Sequence, residues 1–227
     1  MPTIADNLEA VLTLMAGAAA RAGRAAEDVT LVAVAKTRGP AEVRAAVEAG
    51  VRIVGENRVQ EAEPKIRELA DLGCAWHMVG HLQRNKAGKA VRLFDMVQSL
   101  DSRRLADELQ KRAAAAGKTV PVLLEVNTSG EETKFGVAPE EAEDLVGYAA
   151  ACANLALEGL MTLGPLGEGP LATARAFRRL RALFEKMAPA LGPRFRFLSM
   201  GMTDDFELAI EEGSNMVRVG RAIFGER

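Results

Sequence analysis

Lys36 follows the run Val29-Thr30-Leu31-Val32-Ala33-Val34-Ala35, so a primary amine stands where an apolar strand stops. A partly desolvated ammonium loses basicity, and the neutral amine can condense with an aldehyde to a Schiff base. A strand-end lysine that simply reaches into water carries the same signature, since most lysines are exposed. Its meaning depends on what else shares its face. Far downstream, Ser199-Met200-Gly201-Met202-Thr203 and Arg218-Val219-Gly220-Arg221 each run from an apolar segment toward a helix. Glycine at 201 and 220 lets backbone approach an anion closely, and the Ser199 hydroxyl adds a side-chain donor. Two ordinary glycine-containing turns would read the same way.

These residues need a scaffold that gathers them. Short apolar runs alternate with stretches of helical period along the chain. The expected strands are 30–35, 52–55, 76–79, 96–99, 120–126, 157–162, 195–200 and 215–219. The expected helices are 40–49, 59–71, 82–93, 103–116, 139–151, 171–189 and 204–212. Pro40, Ser102, Pro139 and Thr203 stand where helices open, and Gly50, Gly73, Gly117 and Gly213 where they close. Ile4, Leu8, Val11, Leu12 and Met15 add an amphipathic helix at the N-terminus. The pattern predicts an α/β chain: a single (β/α)8 TIM barrel with an extra N-terminal helix, one domain over 1–227. An open doubly wound sheet would call for a glycine fingerprint after the first strand, where Lys36-Thr37-Arg38-Gly39 stands instead.

In such barrels chemistry collects at the C-terminal ends of the strands. Lys36, Glu56, Asn57, His81, Asp101, Asn127, Thr162, Ser199 and Gly220 are expected there. The loops after the last two strands are where barrels most often bind phosphate. An imine-forming amine and a phosphate cup on one face make the minimal arrangement for pyridoxal phosphate, with aldehyde and phosphate expected on opposite sides of the mouth. A phosphosugar aldolase would use the same amine and cup.

Other function classes are disfavoured. A net charge of −2 with one Trp and one Tyr offers little to nucleic acid. No apolar stretch reaches the roughly 18 to 20 residues that cross a bilayer, and the acidic N-terminal helix does not read as a signal peptide. Cys74 and Cys152 are expected to be buried free thiols, which fits a cytoplasmic chain. His77 and His81, four apart on a strand and its loop, do not share a face, so no metal site is expected. Lys134, in the loop after strand five, could reach an anionic substrate or a partner.

The segments Val34-Ala35-Lys36-Thr37, Gly55-Glu56-Asn57-Arg58-Val59-Gln60-Glu61, His77-Met78-Val79-Gly80-His81-Leu82-Gln83-Arg84-Asn85-Lys86, Ser199-Met200-Gly201-Met202 and Val217-Arg218-Val219-Gly220 resemble those of the pyridoxal phosphate homeostasis proteins. That family comprises single-barrel relatives of the N-terminal domain of bacterial alanine racemases, and the resemblance runs from about residue 4 to residue 227. It implies that Lys36 carries pyridoxal 5'-phosphate as a covalent aldimine. It implies that Ser199 and the backbone of Gly201, Met202, Gly220 and Arg221 hold the phosphate. Asn57, Met78 and His81 would border the cofactor. Arg218 matches the arginine that faces the pyridine nitrogen in the racemases. An arginine is a permanent donor without an acceptor, so it would keep that nitrogen unprotonated and weaken the ring as an electron sink. Two departures from the racemases sharpen the expectation. The chain ends at Arg227 directly after the barrel, without the racemases' extra β-domain, and its single tyrosine, Tyr148, falls in a helix. The resemblance therefore implies storage, buffering or delivery of the cofactor, influencing amino-acid and keto-acid balance. Apo forms of pyridoxal-phosphate enzymes are the candidate recipients, and the chain is expected to be a monomer without an established reaction. A weak amino-acid racemase or another pyridoxal-phosphate enzyme is the alternative.

Overall fold

Strands covered on both faces read as near-continuous apolar runs, and Val32, Ala33 and Val34 of the first strand are buried in succession. The computed structural model describes residues 2–131 and 133–226. Its strands are β1 (Thr30–Val34), β2 (Ile53–Glu56), β3 (Ala75–Met78), β4 (Met96–Leu100), β5 (Val120–Glu125), β6 (Leu155–Met161), β7 (Phe197–Ser199) and β8 (Met216–Val219). They pair in parallel in chain order, and β8 pairs with β1, closing the barrel. The helices are α1 (Ile4–Arg21), α2 (Pro40–Glu48), α3 (Val59–Glu68), α4 (Ala87–Leu93), α5 (Arg103–Ala115), α6 (Ala142–Ala150), α7 (Pro170–Leu191), α8 (Phe206–Glu211) and α9 (Arg221–Phe224). This is the expected (β/α)8 barrel with a leading helix. Among the described residues, no helix is long and apolar enough to cross a membrane.

Local chemistry accounts for the element ends. A reciprocal capping box opens α1: the Asp6 amide donates to Thr3 Oγ1 at 3.2 Å, and the Thr3 amide donates to Asp6 Oδ2 at 2.7 Å. Proline opens α2 and α7 at a position whose N–H has no intrahelical acceptor. The expected helix 82–93 is split, because the Lys86 amide bonds three residues back to Gln83 and forms a 3-10 turn before α4. The seventh strand begins later than expected, because the Phe195 amide turns back to the Gly192 carbonyl.

Two apolar layers hold the barrel. Val32, Val34, Val79, Met96, Leu123, Met161 and Met216 fill its interior. A larger layer between strands and helices includes Phe177, Leu180, Leu105 and Leu109. Helix α1 buries Leu8, Val11 and Met15, and Arg21 pairs with Glu207 and Glu211 at the α8 end. Asn7 Nδ2 donates to the Ile223 carbonyl of α9 at 3.0 Å. The leading helix thus fastens the elements that follow β7 and β8.

Gly159 shows how tightly β6 and β7 meet. Its φ is 154°, and a Cβ there would lie 1.9 Å from the Phe197 carbonyl oxygen. Neither atom can move without breaking the ladder that pairs Gly159 with Phe197. Gly159→Ala should therefore destabilise the fold by about 3 kcal/mol or more, read as a lowered denaturant midpoint; an unchanged midpoint would contradict this packing.

Candidate functional site

Lys36 lies two residues beyond the end of β1, and its side chain is exposed. Burial therefore does not supply the desolvation anticipated for its amine. The chain makes a tight turn here: the Arg38 amide donates to the Ala35 carbonyl at 3.1 Å. Thr37 takes φ 66°, the only positive φ of a non-glycine residue among those described. A β-branched residue in the left-handed region is strained. Lys36 is thus displayed on a turn the surroundings must hold in place.

The closing register sets its neighbours. Ala33 stands opposite Val219, and a Cβ at Gly220 would lie 3.1 Å from the Val34 carbonyl oxygen. The amine and the loop after β8 are therefore adjacent, which corrects the expectation of opposite sides of the mouth. Closure of the sheet makes the first and last strands neighbours. The first amides of α9, at Arg221 and Ala222, have no intrahelical acceptor. The Arg221 guanidinium pairs with Asp204, linking the loops after β7 and β8.

Below the rim a polar chain crosses the barrel interior. Arg218, 3% exposed, donates from Nη1 to Ser199 Oγ at 2.6 Å and from Nη2 to the Thr162 carbonyl at 2.8 Å. Ser199 Oγ donates to Gln98 Oε1 at 2.8 Å, and Gln98 Nε2 donates to His77 Nδ1 at 2.9 Å. Burial pushes His77 down to about 4, which suits a neutral ring accepting that bond. Burial also pushes Arg218 down to about 10, opposed by Glu125 and Asp205, so it stays cationic near neutrality.

This chain revises the reading of Ser199. Its hydroxyl is fully buried and committed at both ends inside the barrel. Thr203, read in the sequence only as a helix start, supplies the hydroxyl between the two loops, where it accepts the Gly220 amide at 3.4 Å. The Met202 amide is taken by Asp205 Oδ1 at 2.6 Å. Gly201 serves the packing of a helix as well. With φ 98°, a Cβ there would lie 2.5 Å from Ala209 Cβ, so its missing side chain lets α8 seat against β7.

Asn57, Met78 and His81 line a cleft of about 340 Å³ between the loops after β2 and β3. His81 Nδ1 lies 3.1 Å from Asp101 Oδ2, and its ring stacks on Phe135 at 3.7 Å. His77 and His81 thus face different partners. Lys134 donates to the Gly164 carbonyl at 2.7 Å and pairs with Glu131 at 2.5 Å, stapling the loops after β5 and β6. Tyr148, on α6, bonds to Asp107 on α5, among the outer helices. Both cysteines are free and only partly buried, rather than fully so.

Glu125, at the end of β5, is a group the sequence reading passed over, although a lone acid closing an apolar strand was visible. Burial, with Asp101 adding repulsion, pushes it up to about 7 against the opposing pull of Arg218. Between 4.5 and that value the folded chain keeps a proton that the unfolded chain has lost. Stability from this group is full below the unfolded value and drains away as pH rises to about 7. His77 acts in the opposite sense from about 4 to 6.5, but it is common to any Glu125 variant. From about pH 5 to about pH 8, ligand-free wild type should lose stability relative to Glu125→Gln by up to about 3 kcal/mol, followed by thermal melts; parallel curves would refute the assignment.

An exposed amine, free amides at a neighbouring helix start and a permanent cation beneath them form a donor set that fits an aldehyde-bearing phosphate monoester. The sequence model for "Alanine racemase, N-terminal domain" matches residues 12–227. The pyridoxal phosphate homeostasis protein of Aquifex aeolicus is 41% identical over 98% of this chain and 97% of its own length. A crystal structure of an unknown protein from Bifidobacterium adolescentis superposes with a TM-score of 0.91 at 43% identity, covering 97% of this chain and 94% of that one. PipY of Synechococcus elongatus PCC7942, solved with pyridoxal phosphate bound, gives a TM-score of 0.85 at 34% identity, covering 98% of this chain and all of that one (100%). By the extent of these matches, the chain belongs to the alanine racemase N-terminal domain family and, within it, to the pyridoxal phosphate homeostasis proteins.

Proposed function

We propose that this chain binds pyridoxal 5'-phosphate reversibly through Lys36 and stores, buffers or delivers it to apo forms of the enzymes that use it. The observation that carries the reading is the exposed amine on a strained turn beside the loops that follow β7 and β8. The cofactor supplies an aldehyde, which condenses with the Lys36 amine to an imine and one water. The pyridoxal phosphate bound to PipY supports the choice of ligand.

Each predicted residue keeps a role in this reading. Arg221 brings a free amide to the phosphate, Gly220, whose amide is held by Thr203, lets the backbone approach it, Gly201 and Met202 shape the loop beside it, and Thr203 adds a hydroxyl. Asn57, Met78 and His81 border the ring from the β2 and β3 side. Ser199 acts from within the barrel by holding Arg218. Arg218 donates and cannot accept, so it favours an unprotonated pyridine nitrogen and disfavours carbanion chemistry. We place the protein in the cytoplasm as a single-domain monomer over 1–227.

Titration with pyridoxal phosphate should produce a visible imine band, and Lys36→Ala should abolish it and weaken binding by at least about tenfold. A wild-type protein that stays colourless would overturn the reading. Incubating the loaded protein with single-enantiomer amino acids should give no sustained turnover; repeated turnover would replace the carrier role with an enzymatic one.

A further inference from the structure

A buried ion pair stands behind the turn that displays Lys36. Glu56, the last residue of β2, is fully buried, and its Oε1 lies 2.6 Å from Lys65 Nζ on α3. The same ammonium, also buried, donates to the Ala35 carbonyl at 2.9 Å. Ala35 is the first residue of the turn, and its carbonyl is the acceptor for the Arg38 amide that closes it. One oxygen therefore receives both the turn's own bond and a charged donor from a different element.

Stability alone is a weak account of this pair. A buried ion pair loses so much hydration that apolar replacements of similar volume are often as stable. Here Glu56 Oε2 is buried without a hydrogen-bond partner, so the carboxylate does little beyond holding Lys65. Thr37, meanwhile, sits at φ 66°, a conformation a β-branched residue leaves when nothing holds it. The peptide between Lys36 and Thr37 is the unit whose rotation would relieve that strain, and the turn that contains it is anchored at the Ala35 carbonyl, which Lys65 grips.

We propose that Glu56 and Lys65 are positioning residues for Lys36: the Lys65 ammonium, oriented by Glu56, fixes the Ala35 carbonyl and so aims the Lys36 amine at the loops after β7 and β8. The inference rests on Lys36 being the imine-forming residue.

The test uses the full chain with Glu56→Gln and Lys65→Met combined, which removes the grip on Ala35 without stranding a buried charge. Two ligands separate the effects: pyridoxal 5'-phosphate, followed by its imine band, and pyridoxine 5'-phosphate, which has the phosphate and ring but no aldehyde, followed by calorimetry. The apparent affinity for imine formation should fall by at least about tenfold while pyridoxine 5'-phosphate binding stays within about twofold of wild type. Equal imine formation in the folded double variant overturns the proposal, and so does an equal loss of both ligands, which marks a general structural role. Glu56→Gln alone leaves Lys65 on Ala35 with a neutral partner and covers the case in which the double variant does not fold. Because Glu56 orients that ammonium, imine affinity should fall by at least about threefold while pyridoxine 5'-phosphate binding holds, and an unchanged imine affinity in that folded variant overturns the assignment. A wild-type chain that forms no imine would instead remove the premise about Lys36.

Discussion

Burying the Arg218 guanidinium inside a closed barrel is the constraint on which the rest of this structure depends. A cation that has lost its water must be met by acceptors and by opposite charge. β7 supplies Ser199, the end of β6 leads to the Thr162 carbonyl, and Asp205 supplies charge, joined by Glu125 once it ionises near pH 7. Ser199 is then bound in turn by Gln98, and Gln98 by His77. A single charge thereby dictates polar residues on strands β3, β4, β5, β7 and β8 in an interior otherwise filled by valine, leucine and methionine. The same set holds the floor of the candidate site rigid, because any rotation of Arg218 would leave several groups without partners.

Above that floor, the site is built from less regular pieces held by specific grips. Lys65 holds the turn after β1, Asp205 the loop after β7, and Lys134 the loops after β5 and β6. Each grip joins a charged side chain to main-chain carbonyls or amides, so the loops are positioned through their backbones. A ligand at the mouth would meet preset donors without having to order them, which lowers the entropy lost on binding.

Much of this was legible in the sequence, for identifiable reasons. Strands buried on both faces write themselves as apolar runs, and glycine and proline mark their ends, so eight strands and the place of Lys36 could be read directly. The facing of Ser199 could not. An alternating strand places a residue either inside the barrel or against the helices, and only the partner strands show that an inward Ser199 meets Gln98 and Arg218. Lys65 was hidden more completely. Within Val-Gln-Glu-Ala-Glu-Pro-Lys-Ile-Arg-Glu it looks like one more charge on a solvated helix, and its burial depends on Glu56 waiting at the end of β2. The adjacency of the turn that carries Lys36 and the loop after β8 was also misjudged, because distance along the chain says nothing of neighbours once a sheet closes on itself.

That closure bears on how the molecule is made. β1 finds its outer partner only in β8, and α1 reaches across 216 residues from Asn7 to Ile223. On the ribosome, the first strand and leading helix therefore wait, one edge unpaired, until almost the whole chain has emerged. Contacts of such long sequence separation form late and slowly, so the amine-bearing edge of the nascent protein spends its synthesis as an open strand in need of shelter.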